Sequence, residues 1–322
     1  MRITKFIPLL VVTSLASCTQ NSFVVDDKAI CFDTYVEFKL FEGTESDKDN
    51  IHELLTYYDK VSDNYKKVSN VNNVSTINET NEEVEIDERL YLMLKAAFKV
   101  QEKATYFNPL CGSLAKAWKE SLANKELLDE EVINEELDKM NSSSLIFKED
   151  NVVQRVGEAE IDLGGFAKGY VLDEIYAYLA FHNISHYLVN AGSSSILLGE
   201  KNNNDGYFNV GIDSKILPNS YMKLKNCFVS TSSISEQGVQ LEEDGPIYSH
   251  IINPETGSAI NEQDAVIVVS QSGYLGDALS TSMMLNTLEE IKEIESELDV
   301  KCIVINNKQI TYINSDLKVL SR

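Results

Sequence analysis

An aspartate and a threonine lie four residues apart in the segment GDALSTSMMLN, whose apolar residues have helical spacing. In a helix the side chains of Asp277 and Thr281 share one face, with their Cβ atoms about 5 to 6 Å apart. A carboxylate and a hydroxyl so placed are hard oxygen ligands that suit Mg²⁺, which usually binds through one or two protein carboxylates and substrate phosphates. The alternative is an acidic residue in a first helical turn that interacts only with the helix dipole.

Two adjacent glycines stand in the segment EIDLGGFAKGYVLDEI, residues 160–175. Gly164 and Gly165 fit a tight turn between a strand and a helix. With Lys168 they also fit an anion cradle, in which backbone N–H groups at the start of a helix hold phosphate oxygens. The segment matches neither G-x-x-x-x-G-K-[ST] nor G-x-G-x-x-G, so it is not a standard nucleotide-binding loop.

A histidine, His250, precedes the Pro and Gly turn of the segment YSHIINPETG. An imidazole there could orient a phosphate or transfer a proton, although a lone histidine is more often structural. The chain has no G-x-S-x-G, no H-E-x-x-H, and no serine or cysteine with an evident histidine partner. If the protein is an enzyme, a metal and positioning must therefore do most of the work.

The chain is strongly acidic, with 28 basic and 51 acidic residues and a formal net charge of −23. This balance argues against nucleic-acid binding through a general basic surface. An anionic small substrate would need a local positive site or a metal, and Lys168 could be part of such a site.

The first residues have the features of an export signal. Two basic residues precede an apolar run that is too short to span a bilayer and that ends in Leu-Ala-Ser-Cys. This ending resembles a bacterial lipobox, whose cysteine is lipidated, and an ordinary signal peptide is the alternative. We therefore expect a lipoprotein signal peptide at residues 1–17, a short tether at 18–28 after the lipidated Cys18, and a single domain at 29–322. The protein would be lipid-anchored on the outer face of a membrane.

The other four cysteines, Cys31, Cys111, Cys227 and Cys302, are widely spaced and form no C-x-x-C pair. A zinc cluster is therefore not expected. Export permits disulfides, but the sequence does not determine their pairing, and each cysteine also fits a buried small apolar residue.

Residue periodicity predicts a mixture of helices and strands. Helical patterns cover residues 51–65, 89–103, 166–181 and 275–298, and another helix holds Trp118. Strand patterns cover residues 31–41, 144–147, 152–156, 186–199 (two strands), 207–212, 226–233 and 264–272, with a closing hairpin at 301–314. The Asn-rich residues 70–81 suggest a loop. Strict β-α-β alternation is missing, so we predict an α+β fold with largely antiparallel sheets and packed helices, not a Rossmann fold.

Taken in order, five segments resemble the motifs of the ApbE family, the FAD:protein FMN transferases of bacterial envelopes. They are EIDLGGFAKGY, LVNAGSSSILLG, STSS, YSHIINPETG and DALST. The segments CFDTYVEFKLF, SDNYKKVSN and TYFNPLCGSLAKAW also fall where that family has its N-terminal strand, its S-x-Y stretch, and its G-x-F-[DN]-P segment with a following tryptophan. The resemblance covers nearly the whole chain after the signal peptide and implies the ApbE-like flavin transferase fold.

The resemblance also implies a reaction. Such enzymes bind FAD and Mg²⁺, join FMN through a phosphodiester to a Thr or Ser of an exported flavoprotein, and release AMP. The expected partners are thus FAD, an exported flavoprotein acceptor and, through the lipid anchor, the extracytoplasmic face of the cell membrane. Two alternatives are an FAD pyrophosphatase, with water as the acceptor, and a flavin-binding lipoprotein without catalysis. The spacing of Asp277 and Thr281 favours an enzyme over a pure binding protein.

Carried over to this chain, the resemblance implies roles for individual residues. Asp277, Thr281 and the backbone carbonyl of Gly165 would bind the metal, and His250 matches the family histidine beside the pyrophosphate. Either His250 or Asp277 could act as the catalytic base. The implied FAD contacts are Phe32, Tyr65, Tyr106, Phe107, Asn108, Asp162, Lys168 and Ile252. The segment NAGSSS stands where the family commonly has N-x-G-G-[DN].

Overall fold

The computed structural model describes residues 23–321, apart from 236, 237, 243, 244 and 262. Its helices are α1 (Glu45–Ser62), α2 (Val74–Asn78), α3 (Glu88–Val100), α4 (Gly112–Ala123), α5 (Glu130–Ser142), α6 (Ala167–Phe181), α7 (Gly273–Ser282) and α8 (Leu288–Leu298). Its strands are β1 (Phe23–Cys31), β2 (Thr34–Gly43), β3 (Glu83–Glu85), β4 (Ser144–Phe147), β5 (Val152–Val156), β6 (Tyr187–Ala191), β7 (Ser195–Leu198), β8 (Phe208–Gly211), β9 (Ser220–Leu224), β10 (Cys227–Ser233), β11 (Val239–Gln240), β12 (Ile247–Tyr248), β13 (Ala265–Ser270), β14 (Lys301–Asn306), β15 (Gln309–Ile313) and β16 (Val319–Ser321).

Eight strands form one sheet in the order β1-β2-β6-β7-β10-β13-β14-β15. Every neighbouring pair in it runs antiparallel. Smaller antiparallel sheets, β16-β9-β8, β3-β5-β4 and β11-β12, complete the described strands. This arrangement confirms the predicted α+β fold, because a Rossmann fold requires a parallel sheet built from β-α-β units.

The helices α1, α6 and α7 pack on one face of the large sheet, and α3 packs against α1 and α7. Alternate residues of β2, namely Val36, Phe38 and Leu40, are at most 1% exposed and share a core with Ile51 and Leu55 of α1. The central strands also pack their other face against β16-β9-β8. The run AVIVVS of β13 is therefore buried throughout, as predicted for a strand covered on both sides.

A smaller group of apolar residues lies apart from this main core. We call it the Trp118 cluster, and its buried members are Leu114, Trp118, Leu122, Ile252 and Ala259. Residues of α5, β11 and β12 pack around it. The segment that carries His250 thus folds against α4 and α5.

The predicted tether at residues 18–28 is wrong for residues 23–28, which belong to β1. This strand pairs with β2 over its whole length, and its alternate residues Val25 and Cys31 are buried. Its other face is solvent-exposed, and the charged run Asp26-Asp27-Lys28 makes the segment look like a tether in the sequence. The predicted signal peptide, Cys18 and the rest of the tether lie outside the described residues.

The single helix predicted at 275–298 is also wrong, because α7 ends at Ser282 and α8 begins at Leu288. Thr287 caps α8, and its backbone N–H donates to Glu290 Oε2 at 2.7 Å while Glu290 N–H donates back to Thr287 Oγ1 at 3.4 Å. The sequence pattern T-x-x-E is the signal for this second start.

The other predicted helices and strands are confirmed with shifted ends. Helices α2 and α5 and the short strands β3, β9, β11, β12 and β16 were not predicted. The short helix α2 interrupts the predicted loop at 70–81, with Asn73 as its cap. The closing hairpin is confirmed, and Asn307 and Lys308 form its turn with positive φ. The four cysteines in the described part are free. Among the described residues, no helix is both long and apolar enough to cross a membrane.

Candidate active site

Helices α6 and α7 approach each other closely, at the level of Asp277. An ideal Cβ on Gly169 would lie 2.2 Å from the carbonyl oxygen of Gly273 and 2.8 Å from Cγ of Asp277. Because no side chain fits there, the backbone of α6 reaches the carboxylate directly, and the Gly169 N–H donates to Asp277 Oδ2 at 2.6 Å. The third glycine of the GGFAKG segment is therefore required by this helix contact.

The Asp277 carboxylate is 6% exposed and is held by residues from three elements. The Ser195 hydroxyl, at the start of β7, lies 2.9 Å from Oδ1 and 3.0 Å from Oδ2, and the Ser230 hydroxyl of β10 donates to Oδ1 at 2.6 Å. Burial raises the pKa of Asp277 to about 6, against the opposing effects of the Lys168 charge and these hydrogen bonds. A cation beside the carboxylate would offset this cost of burial.

Thr281 lies one helical turn further along, and Gly165 faces it. Its Oγ1 is 3.1 Å from Ser232 Oγ and 3.3 Å from the backbone oxygen of Asp277. An ideal Cβ on Gly165 would lie 3.2 Å from Thr281 Oγ1. The structure therefore brings together all three residues that the sequence suggested as metal ligands. The alternative for Asp277 does not hold, because α7 begins at Gly273 and its first turn has no acidic residue.

The donors at this place fit Mg²⁺ by their chemistry. They are a carboxylate, a hydroxyl and a backbone carbonyl, all hard oxygen ligands. The hydroxyl groups of Ser195 and Ser230 can rotate away from the carboxylate, while the Gly169 N–H keeps its orientation. Within the described ranges no group of three or more His, Cys, Asp or Glu side chains could hold a metal ion. A cation at Asp277 would thus complete its coordination with water and substrate oxygens.

The two adjacent glycines are not required by a left-handed turn. Neither Gly164 nor Gly165 has a positive φ. The turn is made by the Asp162 side chain, whose Oδ1 accepts the Gly164 N–H at 2.7 Å. Gly165 matters for space, because its backbone approaches Thr281 as well as Phe107, whose ring would lie 3.6 Å from a Cβ.

Lys168 carries a positive charge that acts on both Asp277 and His250. This charge lowers the pKa of each group. His250 retains solvent-accessible surface, but desolvation by the protein around it, followed by the Lys168 charge, lowers its pKa to about 4. The imidazole is therefore neutral at pH 7, with a lone pair available for a proton.

Sequence reasoning missed the residues that hold Asp277 in place. Ser195 and Ser230 stand in small-residue segments with no spacing that points to a distant aspartate. Asp173 of α6 also went unnoticed; its carboxylate accepts the N–H groups of Gly273 at 3.0 Å and Tyr274 at 2.9 Å. It thereby supplies the side-chain cap that α7 lacks at its own N-cap. The available signal was an aspartate one turn after Gly169, on the same face of α6.

Asp162 lies with Tyr65 and two lysines at another part of the site. Desolvation raises the pKa of Asp162, while the Gly164 N–H and the charges of Lys116 and Lys119 act in the opposite direction. Tyr65 is 49% exposed, and the two lysine Nζ atoms lie 5.3 and 4.8 Å from its ring centroid. This surface therefore combines an accessible aromatic ring with positive charge in an acidic protein.

The predicted contacts at Tyr106, Phe107 and Asn108 occupy the turn before α4. Tyr106 N–H donates to Ser282 Oγ at 3.1 Å, which ties the turn to the end of α7. Phe107 is 5% exposed and stacks on Phe166 with ring centroids 5.9 Å apart. Asn108 Oδ1 accepts the Leu110 N–H at 2.9 Å. Phe107 is thus mainly a core residue that supports Gly165.

Phe32 and Ile252 have different surroundings. Phe32 stands at the tip of the β1–β2 hairpin with φ of 54°, an unusual conformation for a bulky residue. Its N–H donates to Asp59 Oδ1 at 2.5 Å. Ile252 is 7% exposed and packs within the Trp118 cluster. The hairpin tip suits a contact with a ligand, whereas Ile252 has its main contacts in the protein interior.

Comparisons with known proteins show which family this chain resembles. The ApbE family model matches residues 32–304. The FAD:protein FMN transferase of Klebsiella pneumoniae (strain 342) is 26% identical over 229 residues, which are 69% of either chain. The FAD:protein FMN transferase of Treponema pallidum (strain Nichols) is 27% identical over 219 residues, 62% of this chain and 60% of that one. The chain thus spans between 60% and 69% of these relatives.

Solved structures share the fold over a greater length. The ApbE protein from Thermotoga maritima superposes with a TM-score of 0.77 at 22% identity, covering 91% of this chain and 97% of that one. The flavin transferase ApbE from Vibrio cholerae gives 0.70 at 19% identity, covering 93% and 97%. At these identities the likeness shows the fold alone. Because the family model spans most of the sequence, the chain belongs to the ApbE family.

Proposed function

We propose that the protein is a Mg²⁺-dependent FAD:protein FMN transferase that moves FMN from FAD to a Thr or Ser hydroxyl of an exported flavoprotein. The observation that carries the proposal is the buried Asp277 carboxylate, with Thr281 and Gly165 beside it and the charge of Lys168 acting on it and on His250. Relatives with the name FAD:protein FMN transferase support the same reaction.

The reaction is a phosphoryl transfer. The acceptor hydroxyl oxygen bonds to the phosphorus of the FMN moiety, the bond from that phosphorus to the bridging oxygen breaks, and AMP leaves with the bridging oxygen. The hydroxyl proton must go to a base. A Mg²⁺ ion held by Asp277, Thr281 and the Gly165 carbonyl would supply charge neutralisation on the phosphate oxygens. Lys168 adds a fixed positive charge on the same side of the site.

Between the two candidate bases, His250 is favoured. Its pKa of about 4 leaves it neutral at pH 7, so its free nitrogen can accept the proton of the hydroxyl. Asp277 is buried and would bind the metal. Its carboxylate oxygens also accept three hydrogen bonds, so it is less available than His250 to take the proton.

The flavin would lie toward the accessible aromatic residues. Tyr65 and the Phe32 hairpin tip offer exposed or partly exposed rings for stacking, worth about 0.5 to 1.5 kcal/mol each. Tyr106, Asn108, Asp162 and Ile252 would contribute backbone or packing contacts. FAD recognition thus uses residues of the β1–β2 hairpin, of the segment that follows α1 and of the turn before α4.

The protein is proposed to act on the extracytoplasmic face of the cell membrane, anchored through lipidated Cys18. The apolar run followed by Leu-Ala-Ser-Cys supports this proposal. Cys18→Ser should abolish incorporation of a labelled fatty acid and move the protein from the membrane fraction to the soluble fraction. Labelling that persists in the variant would contradict the anchor.

The reaction is tested by incubating the protein with FAD, Mg²⁺ and an exported flavoprotein that carries an acceptor Thr or Ser. We expect a covalent fluorescent adduct and an equal amount of AMP, with both products lost when EDTA removes the metal. AMP and free FMN without an adduct would instead indicate a pyrophosphatase. FAD that binds and stays intact would indicate a binding protein.

A further inference from the structure

The segment that carries His250 has its own attachment to the fold. Ile252 and Ala259 form an isolated β-bridge and are each 7% exposed. Both pack beside Leu114 and Trp118 of α4, in the Trp118 cluster, not in the main core that holds Asp277. The position of His250 therefore depends on α4 and its neighbours.

The turn after His250 is fixed from two sides. The indole Nε1–H of Trp118 donates to the Gly257 carbonyl at 2.7 Å, and this bond is buried. On the other side an ideal Cβ on Gly257 would lie 2.5 Å from Ile133 Cγ2 and 3.1 Å from Leu137 Cγ, both in α5. Gly257 also has φ of 70°, so only glycine suits this place. Gly257 is thus held between α4, which binds its carbonyl, and α5, which packs against its Cα.

Backbone hydrogen bonds connect this turn to His250. The bonds are Gly257 N to Asn253 O at 2.8 Å, Asn253 N to Ser258 O at 2.9 Å, Ile260 N to Ile251 O at 3.0 Å and Ser249 N to Ile260 O at 3.0 Å. They bracket His250 on both sides. Within the described part of the chain, no side-chain hydrogen bond is made by the His250 imidazole, so its location follows from this backbone.

We propose that Trp118 is a positioning residue for the reaction, which keeps His250 at the site through its hydrogen bond to the Gly257 carbonyl. Trp118 acts through the loop and has no place in the metal or FAD contacts described above. A buried carbonyl that loses its donor is costly, so loss of the indole N–H should loosen the turn. The effect on turnover rests on the proposed function.

The test compares Trp118→Phe, which keeps an aromatic ring but lacks the N–H, with Leu122→Ala. The control removes apolar contacts from the same helix and the same cluster without touching the Gly257 bond. Amide hydrogen exchange at residues 249–260 should accelerate about tenfold in Trp118→Phe while the main sheet keeps its protection. AMP release should show a kcat about tenfold lower, with little change in the KM for FAD, since a small displacement of a catalytic group acts mainly on kcat.

Leu122→Ala should lower thermal stability but leave kcat close to the wild-type value. A second variant, Gly257→Ala, displaces the same turn from the α5 side with Trp118 intact, and it should reproduce the faster exchange and the lower kcat. If Trp118→Phe fails to fold, Gly257→Ala alone tests the inference. Wild-type exchange and kcat in both loop variants, or an equal loss of kcat in Leu122→Ala, would overturn the inference. A wild-type protein that releases no AMP would refute the proposed function, and the exchange data would still decide whether Trp118 holds the loop.

Discussion

The two sides of the candidate site are held in place by different means. Asp277 belongs to the main core, where hydroxyl groups of β7 and β10 and a backbone N–H of α6 bind its carboxylate directly. His250 stands on a loop attached to the Trp118 cluster, and its position is set by backbone bonds and one indole N–H. The difference indicates that the metal side is rigid and preorganised, whereas the histidine side depends on a small, separate set of contacts.

The largest expected effect comes from Asp277→Asn. The amide has nearly the shape of the carboxylate but lacks its charge, so metal binding and AMP release should fall by at least about 10³-fold. The unfolding transition should change little, because the amide oxygen can accept the Gly169 N–H while the amide N–H₂ donates to the rotatable Ser195 and Ser230 hydroxyls. AMP release measured over a range of Mg²⁺ concentrations checks this prediction. A rate equal to that of the wild type would show that Asp277 does not bind the metal.

Gly169→Ala tests how tightly the metal side is packed. The new Cβ would approach the Gly273 carbonyl oxygen to 2.2 Å, so α6 and α7 must separate. We expect a loss of about 2 to 3 kcal/mol in the free energy of unfolding, even though alanine favours a helix over glycine by about 1 kcal/mol.

Gly164→Ala is the matched control in the same segment. Its Cβ would meet only the Asp162 side chain, with the Oδ1 atom at 3.1 Å. Urea unfolding of both variants should therefore show a clear loss for Gly169→Ala and a change within about 0.5 kcal/mol for Gly164→Ala. Equal stabilities would mean that the helix contact is looser than described.

His250→Gln addresses the other side of the site. Loss of a general base should lower the kcat for AMP release about 10²-fold, while metal affinity stays as in wild type. A parallel loss of Mg²⁺ affinity would show that the two sides are not independent.

The effect of the Lys168 charge on His250 can be measured by NMR. The His250 imidazole of the metal-free protein should titrate near pH 4. Lys168→Met removes a positive charge that opposes protonation, so the pKa of His250 should rise. A titration midpoint equal to that of the wild type would show that the Lys168 charge does not act on His250.

The smallest effect is expected at the start of α7. Asp173→Ala leaves the N–H groups of Gly273 and Tyr274 without their acceptor and should cost about 1 kcal/mol in the free energy of unfolding, as for other helix caps. Thermal unfolding checks the size of this loss. A stability equal to wild type would show that solvent or Ser272 replaces the carboxylate.

Much of the fold follows from local patterns. Alternation of polar and apolar residues predicts most strands, and helical spacing predicts α1, α3, α4 and α6 and puts Asp277 and Thr281 on one face. Local patterns failed where the signal was weak: β1 has one solvent-exposed face and charged residues at its centre, and the T-x-x-E start of α8 lies inside a longer amphipathic pattern. No predicted helix is a strand and no predicted strand is a helix, so the errors are missed elements and shifted or merged ends.

The sequence alone therefore determined the α+β class, the family motifs and the candidate metal pair, because each depends on residues that are close together in the chain. Only the tertiary structure decided which residues hold that pair. Ser195 lies 82 positions from Asp277, and Trp118 lies 139 positions from Gly257. Such contacts depend on strand order in the sheet and on where helices approach each other, and no local pattern encodes these. Gly164 and Gly165 show the same division, since only the structure shows that Asp162 makes the turn and that Thr281 needs the space beside Gly165.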